Sequence, residues 1–385
     1  METPIYLDYA AATPLDDEVA AAMTPYLSGR FYNPSASYQA ARQVKADLEE
    51  VRKRIALPLG AKPAEIVFTA GAAEANNLAI TGVMTEFPKA NVLVGAIEHE
   101  TVLAPAKRHT HKLIPVNAKG TIDLDKLSGL IDNNTVLISI GYANNETGTI
   151  QPLSKVAKLV QGVRRQRLLS HNKLPLYLHS DAAQAAPYLD LHTARLGVDL
   201  MTLNGSKMYG PKQVGLLFVQ GQVQIEPLIV GGGQERGLRS GTENVAGIIG
   251  LAVALENSQL HRKEASRREA GLRDSLQNRL SERYDDQLVV SGDQKHRLPN
   301  TLNVAWPGLD GERLVMLCDE YGLQLATGAA CSANKERRSH VLSALGLSDE
   351  TVDGSIRITL GRQTTGADID RAAQILIKAV AELER

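Results

Sequence analysis

Residues 203–212 read Leu-Asn-Gly-Ser-Lys-Met-Tyr-Gly-Pro-Lys, with Lys207 between a short apolar run and two turn residues. The apolar run, residues 198–203, has the pattern of a buried strand, and Gly210 and Pro211 are typical of a turn. In α/β sheets, active sites collect at the carboxyl ends of the strands. The sequence here therefore predicts an α/β fold and marks Lys207 as a candidate functional residue.

A second predicted strand end carries an acidic residue. Residues 175–179 have the pattern of a short buried strand, and Ser-Asp-Ala-Ala-Gln follows at residues 180–184. A lysine and a carboxylate at two strand ends would suit pyridoxal phosphate, which needs a Schiff-base lysine and an acid that keeps its ring nitrogen protonated. Taken alone, the pair also fits a surface lysine and a helix-capping aspartate.

The composition is that of an ordinary globular protein. Its 385 residues suggest two or three domains, and 43% of them are hydrophobic and 22% charged. The formal net charge of -1 gives no electrostatic reason to expect nucleic acid or an anionic membrane as the main partner.

Cysteine content and apolar runs bear on the compartment. Cys318 and Cys331 are the only cysteines, so no disulfide framework is implied and a reducing cytosol is the natural location. The first residues lack the basic and apolar regions of a signal peptide. The longest apolar run, residues 245–255, is too short for a bilayer, which takes about 20 residues. We therefore expect a cytoplasmic protein with no membrane partner.

Strand patterns alternate with helical patterns along the first part of the chain. Helices are predicted over residues 72–83 and 101–107, and a longer, earlier helix is expected to be capped by Asn33, Pro34 and Ser35. The alternation predicts an α/β domain with a mainly parallel, seven-stranded sheet. The predicted strands are residues 65–68, 91–96, 112–116, 135–140, 174–178, 199–203 and 214–219.

The pattern changes after the glycines at residues 231–233. A long helix is predicted over about 244–284, and shorter strands and helices follow it to the end of the chain. These elements would form a smaller α+β domain. We predict a large domain over residues 16–257 and a small domain made of residues 1–15 and 258–385.

Three further motifs could carry chemistry. The small-residue turn at residues 69–74 could hold a phosphate at a helix N-terminus, although many α/β turns look alike. The strand end at residues 144–148, Asn-Asn-Glu-Thr-Gly, is more polar than a plain turn requires. His99 follows a strand and could act in proton transfer or ring stacking, although one of nine histidines could lie there by chance.

The two cysteines differ in their surroundings. Cys331 lies in a small and polar stretch, residues 326–335, which we interpret as part of a mobile loop over about 328–340. A thiol exposed in such a loop is a candidate nucleophile. Cys318 lies in an amphipathic run with Leu314 and Leu317 and is predicted to be part of the core.

Together these segments resemble the cysteine desulfurases, which are class V pyridoxal-phosphate enzymes with the type I aminotransferase fold. The resemblance runs nearly from end to end and rests on many motifs in the same order. They are residues 6–14 (Tyr-Leu-Asp-Tyr-Ala-Ala-Ala-Thr-Pro), 33–35 (Asn-Pro-Ser), 71–74 (Gly-Ala-Ala-Glu), 98–99 (Glu-His), 144–148, 179–184 (His-Ser-Asp-Ala-Ala-Gln), 206–212, 231–242 (Gly-Gly-Gly-Gln-Glu-Arg-Gly-Leu-Arg-Ser-Gly-Thr), Cys331 and 355–362 (Ser-Ile-Arg-Ile-Thr-Leu-Gly-Arg).

The resemblance implies roles for residues around the cofactor ring. Lys207 would form the Schiff base with pyridoxal phosphate and then shuttle the Cα proton of the substrate. Asp181 would pair with the pyridinium nitrogen, and His99 would stack on the ring and assist proton transfer. Gln184 and Asn145 would contact the phenolic oxygen of the ring or neighbouring groups.

It also implies how the phosphate and the substrate are held. Arg357, helped by Asn33, would bind the substrate carboxylate through its planar guanidinium. The phosphate would rest on the turn at Ala72 and Ala73. Asn204 and Ser206 would supply further cofactor contacts. Thr242 would contact the phosphate from the second subunit of a homodimer. No metal is implied.

The implied reaction converts L-cysteine to L-alanine. The Cys331 thiolate would attack the substrate sulfur and become a persulfide, and the spacing from Cys331 to Ser339 resembles the long-loop subgroup of the family. A loop of that kind could pass sulfur to an acceptor protein, either an iron–sulfur scaffold or a tRNA thiolation enzyme.

The sequence departs from the family pattern at four positions. Ala73 replaces a threonine, Asn204 and Ser206 replace the serine and histidine before the lysine, and Tyr38 replaces a histidine. Because phosphate donors are lost, weaker cofactor retention is expected. The alternatives are a selenocysteine lyase or another class V enzyme, or a sulfur carrier or scaffold with weak catalysis. The thiol at Cys331 favours the desulfurase.

Overall fold

The computed structural model describes residues 3–327 and 338–384. Its strands are β1 (Ile5–Tyr6), β2 (Ile66–Thr69), β3 (Asn91–Gly95), β4 (His111–Ile114), β5 (Thr135–Ser139), β6 (Tyr177–Asp181), β7 (Leu200–Asn204), β8 (Gly215–Val219), β9 (Val289–Val290), β10 (Thr301–Ala305), β11 (Leu323–Gln324), β12 (Ala326–Thr327) and β13 (Ser355–Thr359). Its helices are α1 (Asp17–Leu27), α2 (Gln39–Leu59), α3 (Ala72–Glu86), α4 (Glu100–Ala106), α5 (Leu124–Leu130), α6 (Leu153–Leu169), α7 (Thr193–Leu196), α8 (Val245–Tyr284), α9 (Gly311–Glu320), α10 (His340–Ala344), α11 (Asp349–Asp353) and α12 (Gly366–Leu383).

The predicted large sheet is confirmed. Within the described residues it has seven strands in the order β2-β8-β7-β6-β5-β3-β4. The five strands from β7 to β4 run parallel, and β8 is antiparallel to both of its neighbours, β2 and β7. The carboxyl ends of β2, β3, β5, β6 and β7 therefore lie along one edge.

Both faces of this sheet are covered, which is why its strands are apolar throughout rather than alternating. Successive side chains of a strand point to opposite faces. In β2, Ile66 and Phe68 join an apolar cluster with residues of α2, α6 and α8, whereas Val67 joins a second cluster with residues of α3 and α4. The result is the three-layer arrangement that the α/β pattern predicted.

Helix α8 connects the large sheet to the rest of the molecule. It has 40 residues, so it is about 60 Å long. Its first part contributes Leu251 and Leu255 to the cluster beside the large sheet, and its last part contributes Leu276 and Leu280 to a separate apolar cluster.

That separate cluster surrounds a smaller sheet. Strands β12, β13, β10 and β9 are antiparallel neighbours, and α9 and α12 pack against them, with β1 and β11 paired nearby. We propose that the domains are those predicted, residues 16–257 and residues 1–15 with 258–385. The separation of the apolar clusters supports this division.

Two local predictions need correction. Helix α2 begins at Gln39 rather than after Ser35, and the Asn33 side chain accepts the Ser35 N–H in a local turn. Asparagine side chains often bond nearby backbone in this way instead of capping a helix. Strand β6 begins later than predicted and includes Asp181, because residue 181 still pairs with Thr202 of β7.

No helix of the described residues combines the length and the apolar character needed to cross a membrane.

Candidate functional site

A cavity of about 260 Å³ lies at the carboxyl edge of the large sheet. Strand ends and the N-termini of α3 and α4 form its walls, as expected for a binding site in an α/β sheet. Most of the residues predicted from sequence line it: Ala72, Ala73, His99, Asn145, Asp181, Gln184, Asn204, Lys207 and Arg357.

Lys207 ends a short 3₁₀ turn that follows β7. Its Nζ donates to the carbonyl oxygens of Ala10 (2.8 Å) and Ala11 (2.6 Å), and Gln184 Nε2 donates to the Ala10 oxygen at 3.0 Å. The N-terminal segment is fixed over this turn because Thr13 N–H donates to the Ser206 oxygen. The lysine amine is thus held at the cavity by backbone from the start of the chain.

Asp181, the last residue of β6, is oriented by two donors. Asn76 Nδ2 donates to Oδ2 at 2.7 Å, and the Ala183 N–H donates to Oδ1 at 2.9 Å. Asn76 is fully buried in α3, and its carboxamide therefore has a fixed position. Both carboxyl oxygens are engaged, so the cavity has a carboxyl group of defined orientation at the end of β6, the strand next to β7.

The His99 ring is oriented by Thr101 of α4. His99 precedes α4, and its Nδ1 accepts the Thr101 N–H at 3.1 Å and lies 2.9 Å from Thr101 Oγ1. Asn76 Nδ2 also donates to Thr101 Oγ1 at 2.9 Å. Because Nδ1 accepts, the neutral ring carries its proton on Nε2. His99 and Asp181 are therefore linked through one buried amide.

The N-terminus of α3 forms the end of the cavity near β2. Its cap, Gly71, has φ of 116° and no side chain to bond the first N–H groups of the helix. Such a left-handed position favours glycine. The exposed first turn, at Ala72 and Ala73, can bind an anion through its N–H groups and the helix dipole.

Arg357 is the cationic group of the opposite wall. It lies in the middle of β13 with 1% of its surface exposed, and its Nη2 donates to Asp8 Oδ1 at 2.7 Å. Its Nη1 donates to the Asn145 carbonyl oxygen at 3.3 Å, and its Nε has no hydrogen-bond partner among the described residues. A buried guanidinium with an unused donor is suited to bind a carboxylate.

Two buried carboxyl groups lie beside these residues. The carboxyl of Glu98 accepts the Gly141 N–H at 2.9 Å, and burial raises its pKa to about 8. Burial also raises the pKa of Glu146 to about 7, although Ser339, Arg357 and His99 act to lower it. Both groups therefore change protonation state near neutral pH.

Three of the remaining predicted site residues, all within the described part of the chain, do not line the cavity. Asn33 and Thr242 are exposed, and Ser206 is half-buried in the turn before Lys207. Cys331 and most of its predicted loop lie outside the described residues. Cys318 is fully buried, as predicted, and burial raises the pKa of its thiol to about 12.

No role was predicted for Asn76, Thr101 or Asp8, which orient Asp181, His99 and Arg357. A signal for Asn76 was present, since it is a polar residue on an otherwise apolar face of α3 with Ala75 and Ala79. No comparable local signal marks Asp8.

Known proteins resemble the chain over its full length. Its sequence matches the Aminotransferase class-V family over residues 5–372. It is 38% identical to cysteine desulfurase IscS of Dictyoglomus turgidum, covering 100% of this chain and 96% of the relative. It is 37% identical to cysteine desulfurase IscS 1 of Archaeoglobus fulgidus, covering 98% and 97% of the two chains.

Solved structures agree with the sequence relatives. A NifS-like protein superimposes with a TM-score of 0.90 and 32% identity, covering 99% of this chain and 100% of the other. A structure described as SspA in complex with cysteine has a TM-score of 0.78 and 33% identity, covering 92% and 98%.

The family match and the superposition show that the chain is a member of the Aminotransferase class-V family. Within this class, the chain belongs to the cysteine desulfurase family. Enzymes of this family depend on pyridoxal 5'-phosphate, use cysteine and transfer its sulfur to acceptors.

Proposed function

We propose that this protein is a desulfurase that takes sulfur from L-cysteine onto Cys331 and releases L-alanine. The observation that carries the proposal is the convergence of Lys207, Asp181 and Arg357 on one cavity. An amine, a carboxylate and a guanidinium in that arrangement match a cofactor aldehyde, a pyridine nitrogen and an amino-acid carboxylate.

The cavity residues fit pyridoxal phosphate. The uncapped N-terminus of α3 supplies N–H groups for the phosphate at Ala72 and Ala73, and Asn204 lines the same end. Asp181, held by Asn76, supplies the charge for the ring nitrogen. Bound there, the cofactor supplies an electron sink for the substrate Cα. Gln184 and Asn145 are assigned to the polar substituents of the ring.

The protein's own residues then bind the substrate and move protons. Arg357 holds the L-cysteine carboxylate through its planar guanidinium, which orients the Cα–H bond toward Lys207. Lys207 Nζ takes the Cα proton, and the Nε2 proton of His99 is available for the opposite transfer. Asp8 keeps Arg357 in position through the bond at 2.7 Å.

The sulfur step needs a thiolate that can reach the cavity. Thr327 of β12 is paired with Ile356, next to Arg357. Cys331 is four residues further on, a distance of at most about 14 Å in extended chain. The S–S bond between Cys331 Sγ and the substrate sulfur forms as the substrate Cβ–S bond breaks. The substrate Cβ then receives the proton that completes alanine. Thiol and cysteine give persulfide and alanine without any outside oxidant or reductant.

Partner assignments are part of the same proposal. An acceptor protein, either an iron–sulfur scaffold or a tRNA thiolation enzyme, would take the sulfur from Cys331 in a reducing cytosol. A homodimer would bring Thr242 to the phosphate of the second subunit. Exposed apolar side chains support such an interface, since Phe31, Tyr38 and Val230 are 69%, 53% and 76% exposed.

The test is product formation by the wild-type protein. With added pyridoxal phosphate and a thiol reductant, L-cysteine should give alanine and sulfide in equal amounts. Without reductant, mass spectrometry of the quenched protein should find one extra sulfur on the peptide that contains Cys331. Extra sulfur that maps only to the Cys318 peptide, or alanine without sulfide, would contradict the proposal.

Replacement of Arg357 by lysine should weaken binding of the substrate carboxylate. Lysine keeps the charge beside Asp8 but loses the planar fork, so the KM for L-cysteine should rise roughly ten- to hundredfold. Spectral titration with cysteamine, which has no carboxylate, should give the wild-type affinity. Arg279→Lys, in an exposed ion pair with Asp370, is the matched control. If the affinities for cysteine and cysteamine fall by the same factor, Arg357 does not bind the substrate carboxylate.

A further inference from the structure

Helix α10 begins at the cavity wall, where the described chain resumes after residue 337. Ser339, which caps this helix, donates from Oγ to Glu146 Oε2 at 2.5 Å, and the two residues are only 4% and 5% exposed. The next residue, His340, has its Nε2 2.9 Å from the Glu98 carbonyl oxygen. Two consecutive residues are thus bonded to the site.

Apolar contacts reinforce this attachment. Val341 of α10 and Leu345, which directly follows this helix, form a small buried cluster with Ile97. Ile97 is tied in turn to the strand-end motif, because Asn144 Nδ2 donates to its carbonyl oxygen at 3.0 Å. The start of α10 therefore has a fixed position relative to the cavity.

Glu146 and Glu98, which contact Ser339 and His340, are each next in sequence to a predicted site residue. Glu146 follows Asn145, whose carbonyl oxygen accepts from Arg357 Nη1. Glu98 precedes His99. Consequently, the start of α10 is bonded to both of the segments that carry these predicted site residues.

Burial of a carboxyl group costs free energy unless hydrogen bonds or opposite charges compensate for the lost water. Arg357 and His99 are the charged or titratable groups acting on Glu146, and Ser339 is its side-chain hydrogen-bond partner among the described residues. The rest of the 144–148 motif is held by the Asn144 side chain, which accepts the N–H groups of Glu146 and Thr147. Local structure is therefore complete without the Ser339 contact.

We propose that Glu146 and Ser339 are positioning residues for the sulfur step. Their contact fixes Ser339, close to the point where the described chain resumes, at the cavity wall. This inference rests on the proposed function, because Cys331 lies eight residues before Ser339 and is the assigned sulfur acceptor. The contact affects the approach of the thiolate and not the binding of L-cysteine, so the two can be separated experimentally.

The experiment uses Ser339→Ala, Ser339→Thr and the control Ser343→Ala. Ser343 is exposed on the next turn of α10, and its Oγ donates to the Ser339 carbonyl oxygen at 2.9 Å and not to Glu146. Its replacement therefore removes a helix contact of Ser339 and leaves the Glu146 contact in place. Holoenzyme is mixed with L-cysteine in a single turnover, and persulfide on Cys331 is followed by mass spectrometry. The L-cysteine concentration that gives half of the maximal absorbance change measures substrate binding in the same samples.

Persulfide formation should slow about tenfold in Ser339→Ala, with unchanged half-saturation by cysteine. Ser339→Thr, which keeps the hydroxyl, should recover most of the rate, and Ser343→Ala should match wild type. If Ser339→Ala forms persulfide at the wild-type rate, or if its affinity for L-cysteine falls as much as its rate, the positioning role is wrong and the proposed function still stands. Wild-type protein that forms no persulfide on Cys331 would overturn the proposed function and this inference with it.

Discussion

Cys331→Ala should lower alanine formation from L-cysteine by roughly a thousandfold or more, because the substrate sulfur then has no nucleophile to accept it. The other thiol of the chain cannot substitute. Cys318 is fully buried in the small-sheet core, and its pKa of about 12 leaves almost no thiolate at neutral pH. Alanine and sulfide from L-cysteine are measured together, with saturating cofactor.

Cys318→Ala is the matched control for this experiment. It removes a thiol of the same chain from a packed position, which costs some stability but should leave persulfide formation on Cys331 intact. If Cys331→Ala turns over like wild type, no thiol relay is needed. A lyase of the same class, such as a selenocysteine lyase, would then be the better assignment.

Lys207→Ala should also reduce alanine formation by about a thousandfold, because the cavity loses its amine. In the proposed function, this amine both attaches the cofactor aldehyde to the chain and moves the Cα proton. Borohydride treatment should therefore no longer fix pyridoxal phosphate to the peptide containing residue 207, as mass spectrometry will show. The cofactor can still bind through the α3 N-terminus and Asp181.

Lys212→Ala is the control, since Lys212 is exposed five residues along the same stretch. It should keep both the borohydride label on residue 207 and wild-type turnover. A label that moves to another lysine, or full activity in Lys207→Ala, would mean that the catalytic amine has been assigned wrongly.

Much of the fold could be predicted from apolar patterns because each strand and helix carries its own local signal. The strands of the large sheet lie within a few residues of their predicted ranges, and α8 was predicted nearly to its ends. The antiparallel direction of β8 could not be predicted. Residues 214–219 have the apolar composition of their parallel neighbours, and only pairing with β2 and β7 sets the direction.

The same limit applies at the site. Lys207 and Asp181 were found because each ends a recognisable strand, and the family motifs supplied most of the other cavity residues. Asp8 and Asn76 were missed as partners because the pairs are distant in sequence, with separations of 349 residues for Arg357 and Asp8 and 105 for Asp181 and Asn76. Such contacts leave no periodic pattern.

The sequence by itself determined most of the order of strands and helices and the class of the fold, and it predicted which residues would carry cofactor chemistry. These depend on local composition and on motifs that lie within a few residues of one another. Only the tertiary structure decided that Arg357 is buried against Asp8 and that Ser339 bonds Glu146, 193 residues away. Folding brings together side chains that are far apart in the chain, and burial then raises the pKa of Glu146 to about 7.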